Sequence, residues 1–304
     1  MDQQKIIKPY SCQRTITVPG NRFESTCSVD IWKKFQPEVT LPYLNLRRAK
    51  MLLSATRSFP PNCEIFFSNI ESDKWVVYFC FAPDGLPRAN HNFTIKKLRA
   101  EGYSILIVCA TPALEQAQNF VKLTPDALIW KALRGYDFSG YTLGLNALVS
   151  RYNSVDVLVL NDSILGPFNL IRPMLESSPW DLTGFMTSYS VEHHIQSFAF
   201  YIKDYCEKNA KIYRQILFKY ISFNSQGPVS LLQETRLGSA LQKSISIGSI
   251  LSPSIDYKMN YYLLGNPKGL LDIGFPFIKE SIFRKFVANY DQDFYNGCLM
   301  GRDV

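Results

Sequence analysis

Residues 76–110 read VVYFCFAPDGLPRANHNFTIKKLRAEGYSILIVCA, and this stretch decides the fold class. Residues 76–82 are a continuous apolar run, the pattern of a strand covered on both faces. Residues 93–101 space their apolar side chains as a helix does, and Gly102 ends that helix. Residues 104–110 (SILIVCA) are a second buried strand, so the stretch is one βαβ unit. Downstream, residues 127–133 give a third element, 143–152 a helix and 155–160 (VDVLVL) another buried strand. The expectation is an α/β, Rossmann-like fold: a mostly parallel sheet flanked by helices. Its strands send their carboxyl ends to one edge, where open α/β sheets bind ligands.

Upstream of this register, residues 1–73 read as an N-terminal extension of irregular segments and short helices, with prolines at 9, 19, 37, 42, 60 and 61 breaking any long pattern. Residues 74–304 then form the main domain. Inside the extension, residues 44–53 (LNLRRAKMLL) are basic and rich in apolar side chains. Such a segment either packs on the domain as a helix or rests on an anionic membrane face.

A chain of 304 residues that is 46% hydrophobic can bury one large core. Its 17 Tyr and 21 Phe suit stacking on sugars or bases, and equally suit core filling. The net charge of +7 fits a phosphorylated small molecule, an anionic membrane face or nucleic acid. Basic residues are spread, with local groups only at Arg47, Arg48, Lys50 and at Lys96, Lys97, Arg99, so no nucleic-acid footprint emerges. Seven cysteines, at 12, 27, 63, 80, 109, 206 and 298, form no C-x-x-C pair and no zinc-like spacing, which fits a reducing cytosol. The start MDQQKIIKPYSC lacks an apolar signal core, and no run approaches the roughly 18 apolar residues that cross a bilayer. A cytoplasmic protein is expected.

The strongest chemical signal is the strand 155–160 running straight into Asn161, Asp162 and Ser163. A carboxylate leaving a central strand can hold a hard cation or a ribose hydroxyl; Asn and Asp also cap turns, here before Gly166 and Pro167. Residues 134–145 (RGYDFSGYTLGL) place Asp137 between glycines, where backbone can approach a ligand closely, or where Asp137 or Ser139 caps a helix. The P-loop spacing is absent. Residues 187–200 (TSYSVEHHIQSFAF) hold Glu192, His193 and His194; in a strand only one histidine points inward, and His194 shares its face with Gln196 and Phe198. In residues 231–241 (LLQETRLGSAL), Glu234 opens a helical run, a place for a base or for a side chain that simply suits the helix dipole. The turn 274–279 (GFPFIK) ends in a cation, so Lys279 or Arg284 could neutralise a diphosphate.

Taken in order, RGYDFSGY, VLVLNDSILGPF, TSYSVEHHIQSF, QETRLGS and GFPFIKE resemble the rhamnan synthesis protein F family of glycosyltransferases over about residues 75–286. The resemblance implies a GT-A-like fold and an inverting transfer of L-rhamnose from dTDP-β-L-rhamnose to a bacterial surface polysaccharide. Its partners would be that nucleotide-sugar donor and a saccharide acceptor, lipid-linked in some systems. In layout the chain is also similar to inverting transferases with a D-x-D motif and a later acidic base. Asn161-Asp162-Ser163 departs from the first motif and Gln233-Glu234-Thr235 from the usual Glu-Asp of the second. The site expected from this is Asp84, Arg134, Asp137, Asn161, Asp162, Ser163 and Lys279 on the donor side, Glu234 as base and His194 beside the acceptor. Asp162 is the candidate ligand for Mg²⁺ or Mn²⁺, its single carboxylate arguing against strong metal dependence. The alternatives are a transferase for another nucleotide sugar, and a nucleotide-sugar-binding scaffold without catalysis. A hydrolase is disfavoured by the lack of a G-x-S-x-G elbow or a glycosidase carboxylate arrangement.

Overall fold

The computed structural model describes residues 13–18, 25–36, 42–55, 57–58, 62–67, 71–253, 267–281 and 297. Strands β1 (Gln13–Val18) and β2 (Ser25–Lys34) precede α1 (Pro42–Ser54), β3 (Arg57–Ser58) and β4 (Cys63–Phe67). The βαβ unit follows as β5 (Lys74–Phe81), α2 (Ala89–Ala100) and β6 (Ser104–Ala110). Next come α3 (Gln118–Val121), β7 (Ala127–Lys131), α4 (Tyr136–Val149), β8 (Val155–Asn161), β9 (Ile164–Leu165) and α5 (Arg172–Glu176). The rest is β10 (Leu182–Ser188), β11 (His194–Ile195), β12 (Ala199–Tyr205), α6 (Glu207–Tyr213), β13 (Ser222–Phe223), α7 (Gln226–Leu232), β14 (Ile247–Pro253), a short helix Pro267–Asp272 and β15 (Ile278–Lys279).

The main sheet runs β1-β2-β14-β10-β12-β8-β5-β6-β7-β4, with β11 beside β10. β5 pairs in parallel with β6 and β8, β6 with β7, and β10 with β14, while β12 lies antiparallel between β8 and β10. The strands β5, β6, β7, β8, β10 and β14 therefore point one way, which is the mostly parallel α/β sheet expected. Alternate residues of β5 serve opposite faces: Trp75, Val77 and Phe79 join one core, Val76, Tyr78 and Cys80 the other. Helices cover both faces, which is why the strands read as unbroken apolar runs.

Helix α4 lies close on β5 because it has glycine where the sheet presses. A Cβ on Gly140 would stand 2.3 Å from Phe79 and one on Gly144 2.5 Å from Val77. These two glycines thus serve helix-to-sheet contact, not the ligand approach their sequence setting suggested. Gly135 is required differently: its φ of 96° lies in the left-handed region, at the turn into α4. The helix begins at Tyr136, seven residues before the start read from the sequence.

The irregular, helical character expected of residues 1–73 gives way to strands wherever that segment is described, apart from α1. β2 pairs antiparallel with β14 and β4 pairs antiparallel with β7, so the segment supplies strands at both ends of the sheet. Proline punctuation hid them, because their partners lie far along the chain. Cys80 and Cys109 face each other across β5 and β6 as buried free thiols, and burial pushes both thiols up, Cys109 to about 12. They act as small apolar side chains. Among the described residues, no helix is long and apolar enough to cross a membrane.

Candidate functional site

A cavity of about 490 Å³ opens at the carboxyl edge of the parallel strands. It is lined by Phe79 and Phe81 at the end of β5, Leu133 just past β7, Asn161, Asp162 and Ser163 at the end of β8, and Tyr136 and Asp137 from the first turn of α4. Three strand ends and one helix start converge because parallel connections return every strand to the same edge. Asp137, Asn161, Asp162 and Ser163, separated in sequence, thus share one wall.

Each polar side chain of that wall is held by another. The Asp162 Oδ2 accepts the Phe81 backbone N–H at 2.9 Å, and its own N–H donates to the Phe79 carbonyl at 3.0 Å, which ties the end of β8 to the end of β5. His91, fully buried in α2, completes the grip. The Arg88 N–H donates to His91 Nδ1 at 3.1 Å, so the ring proton sits on Nε2 and donates to Asp162 Oδ2 at 3.3 Å. Asn161 bridges the rest: its Nδ2 donates to Asp137 Oδ2 at 3.0 Å, and its Oδ1 accepts from the Ser163 N–H at 3.1 Å and hydroxyl at 2.5 Å. The Asn161 amide orientation follows from these partners.

Lys279 reaches the wall from β15, which pairs with β9 directly after Ser163. Its Nζ donates to Ser163 Oγ at 2.8 Å and sits 4.9 Å from the Phe198 ring centroid. Burial lowers the Lys279 ammonium to about 8, opposed by the charges of Glu234, Asp137 and Asp162. Asp137 is displaced oppositely, to about 6, by burial and then by Glu234, opposed by the Phe138 N–H, Asn161 and Lys279. Strong displacement of an acid and a base beside one cavity marks a functional site better than either residue type alone. Arg284, the other cation suggested by the sequence, lies outside the described residues.

Glu234 and His194 stand next to this wall. Glu234 opens a single 3-10 turn, Glu234–Arg236, directly after α7, so residues 231–241 are not the one helical run expected. Its Oε1 accepts the Ser197 hydroxyl at 3.2 Å. β11 is fastened to the same turn by the Ile195 N–H, which donates to the Leu237 carbonyl at 2.8 Å. His194 donates from Nδ1 to the Glu192 carbonyl at 2.8 Å, leaving a lone pair on Nε2, and burial lowers its pKa so that the ring is uncharged near neutrality. The strand reading of residues 187–200 needs correction: a bend with Val191 at φ 76° separates β10 from β11, and both histidines are buried. His193 is stacked between Tyr189 and Phe35, with centroids 4.3 and 4.4 Å away.

Glu192 forms a buried ion pair with Arg48 of α1. Arg48 also donates from Nε to the Leu231 carbonyl at 3.1 Å and from Nη2 to Thr235 Oγ1 at 3.3 Å, bracing the turn that carries Glu234. Arg48→Ala removes the cation that pairs with the buried Glu192 carboxylate. We expect a loss of about 3–5 kcal/mol in urea unfolding; a loss under about 1 kcal/mol would show that water reaches the carboxylate freely.

Two expected donor-side residues stand apart from the cavity wall. Asp84 is exposed and accepts the Leu86 N–H at 3.2 Å within its own turn. The Arg134 side chain is exposed, and its carbonyl accepts from Lys131 Nζ at 2.8 Å. Sequence reading missed His91 and Lys131. Lys131, wholly buried at the end of β7, is lowered to about 8 by burial, opposed mainly by Asp137. Among the described residues no group of three or more His, Cys, Asp or Glu side chains could hold a metal ion. Asp162 offers one carboxylate, with Oδ2 already accepting two N–H donors and the Lys279 charge near by. These residues make no all-protein cage for Mg²⁺ or Mn²⁺; Asp162 offers a carboxylate on this wall that could share such an ion with the phosphates of a bound nucleotide.

No known protein-family profile matches the chain, and no curated protein matches it. Among solved structures it is similar to HddC from Yersinia pseudotuberculosis, with a TM-score of 0.34 and 10% identity, covering 59% of this chain and 90% of that one. It is also similar to the apo structure of WbbM, a bifunctional glycosyltransferase, again with a TM-score of 0.34 and 10% identity, over 57% of this chain and 39% of that one. This chain spans under half of WbbM's length, and at that level neither likeness assigns an activity.

Proposed function

We propose that this protein is a glycosyltransferase that takes a nucleoside-diphosphate sugar as donor and a saccharide hydroxyl as acceptor. The observation that carries the reading is one cavity at the carboxyl edge of a parallel sheet, where Asp137, Asn161, Asp162 and Ser163 meet the ammonium of Lys279. Aromatic side chains Phe79, Phe81 and Tyr136 offer faces to a base, and the carboxylates and Asn161 offer partners for ribose and sugar hydroxyls. Glu234, whose charge is felt by both Asp137 and Lys279, is the general base.

In the reaction, a Glu234 oxygen takes the proton of the acceptor hydroxyl as the hydroxyl oxygen attacks the anomeric carbon. The bond from that carbon to the diphosphate oxygen breaks, and the nucleoside diphosphate leaves with the electron pair. Lys279, positioned by its hydrogen bond to Ser163 Oγ, meets the charge developing on the leaving oxygen with its ammonium. His194, through its Nε2 lone pair, orients an acceptor hydroxyl. Attack opposite the leaving group inverts the anomeric carbon. The finer assignment, L-rhamnose carried on dTDP into a bacterial surface polysaccharide, rests on the five ordered sequence blocks between residues 75 and 286.

The test is release of nucleoside diphosphate from dTDP-β-L-rhamnose, and from UDP- and GDP-sugars, by the purified protein, with EDTA and again with Mg²⁺ or Mn²⁺. Release from dTDP-rhamnose above the others supports the finer assignment, and preference for another sugar nucleotide replaces the donor. Binding of a donor with no release from any would favour a nucleotide-sugar-binding scaffold.

A further inference from the structure

We propose that the outer face of α1 docks the protein on an anionic lipid bilayer. The helix has two faces with different work. Leu44 and Arg48 are buried, and the contacts of Arg48 with Glu192, Leu231 and Thr235 fix the helix's rotation on the body of the protein. That fixed rotation turns Tyr43, Leu46, Arg47, Lys50 and Leu53 outward, residues that share one side at helical spacing. Tyr43 is 60% exposed, Leu46 59% and Leu53 82%, so most of the helix's exposed apolar area runs along one stripe, with Leu52, 40% exposed, lying off it.

Charge selects the occupant. Every charged residue of α1 is basic and none is acidic, so the stripe alternates cationic heads with apolar and aromatic side chains. That combination matches the interface of an anionic bilayer, where leucine and tyrosine enter the headgroup boundary and arginine and lysine meet lipid phosphates. A phosphate backbone alone gives Leu46 and Leu53 no partner. The placement has a consequence that rests on the proposed transferase reading: Arg48, on the inner face of α1, touches Thr235, the neighbour of Glu234, so docking through the outer face would hold the turn that carries the base one helix diameter, roughly 10–12 Å, from the lipid surface.

The test is co-sedimentation of the full chain with phosphatidylcholine vesicles, with and without phosphatidylglycerol, and it needs no enzymatic activity. We expect binding only when phosphatidylglycerol is present, weakened by added salt. Leu46→Glu with Leu53→Glu, and separately Arg47→Glu with Lys50→Glu, should each lower the partition at least about tenfold while melting temperature and nucleotide binding stay as in the wild type. No binding to anionic vesicles, or undiminished binding by both double variants, overturns the proposal. So does a concentration-dependent dimer that Leu46→Glu with Leu53→Glu dissolves, since a second copy would then cover the stripe.

Discussion

Glu234→Gln is expected to lower sugar transfer by about 10²- to 10⁴-fold, the span of a lost general base, while nucleoside diphosphate still binds with nearly wild-type affinity. The substitution keeps the size of the side chain and an oxygen to accept the Ser197 hydroxyl, so the turn after α7 should hold its shape. It removes the charge. Two neighbours should report that loss even without substrate. Asp137 is raised partly by Glu234, so its pKa should fall toward the ordinary carboxylate range; Lys279 is supported by Glu234, so its pKa should fall below about 8. Measurement of kcat with a saturating donor separates the outcomes. Normal turnover would move the base assignment. Glu192 is then the poorer successor, because Arg48 holds its carboxylate, and His194, with an uncharged ring facing the same turn, is the better one.

Lys279→Met is expected to cut turnover by about 10²- to 10³-fold, the effect of removing a charge aimed at a developing anion. In the wild type, donor affinity should be highest below pH 8 and fall toward about tenfold per pH unit above it, because the diphosphate favours the protonated amine. The Met variant should lose that pH dependence. Stability should move the other way. The folded pKa of about 8 lies below the ordinary 10.5, so the stability tied to this amine is present above 10.5 and is lost as pH falls through about 8. Below pH 8 the protonated Lys279 therefore weighs on the fold, and the Met variant should melt no lower than the wild type there. A Met variant with unchanged turnover and an unchanged affinity-pH profile would place the diphosphate elsewhere.

The parallel core could be read from the sequence because residues 76–82, 104–110 and 155–160 are buried on both sides, so each strand announces itself without reference to its partners. The site's main wall followed for the same reason: Asn161, Asp162 and Ser163 continue straight from β8. What escaped depends on distance along the chain. β2 becomes a strand by pairing with β14, more than two hundred residues later, and no local pattern marks that register. His91 becomes a partner of Asp162 only when α2 packs beside the end of β8, 71 positions on. The bend at Val191 puts a β-branched residue in the left-handed region, against its intrinsic preference, which is why residues 187–200 read as one strand. Asp84, a carboxylate just after a parallel strand, is placed differently: it is exposed, accepts the Leu86 N–H of its own turn and does not line the cavity.

The most direct test of the donor cavity is a thermal-shift titration of the wild type and Lys279→Met with dTDP, UDP and GDP, each with EDTA and again with Mg²⁺ or Mn²⁺. Saturation at about one hundred times Kd should stabilise the native state by about 2.7 kcal/mol. The expected result is a saturable rise in Tm with dTDP, retained in EDTA and lost in Lys279→Met. A rise that appears only with metal would restore a cation at Asp162, and no rise with any nucleotide would contradict the donor site itself.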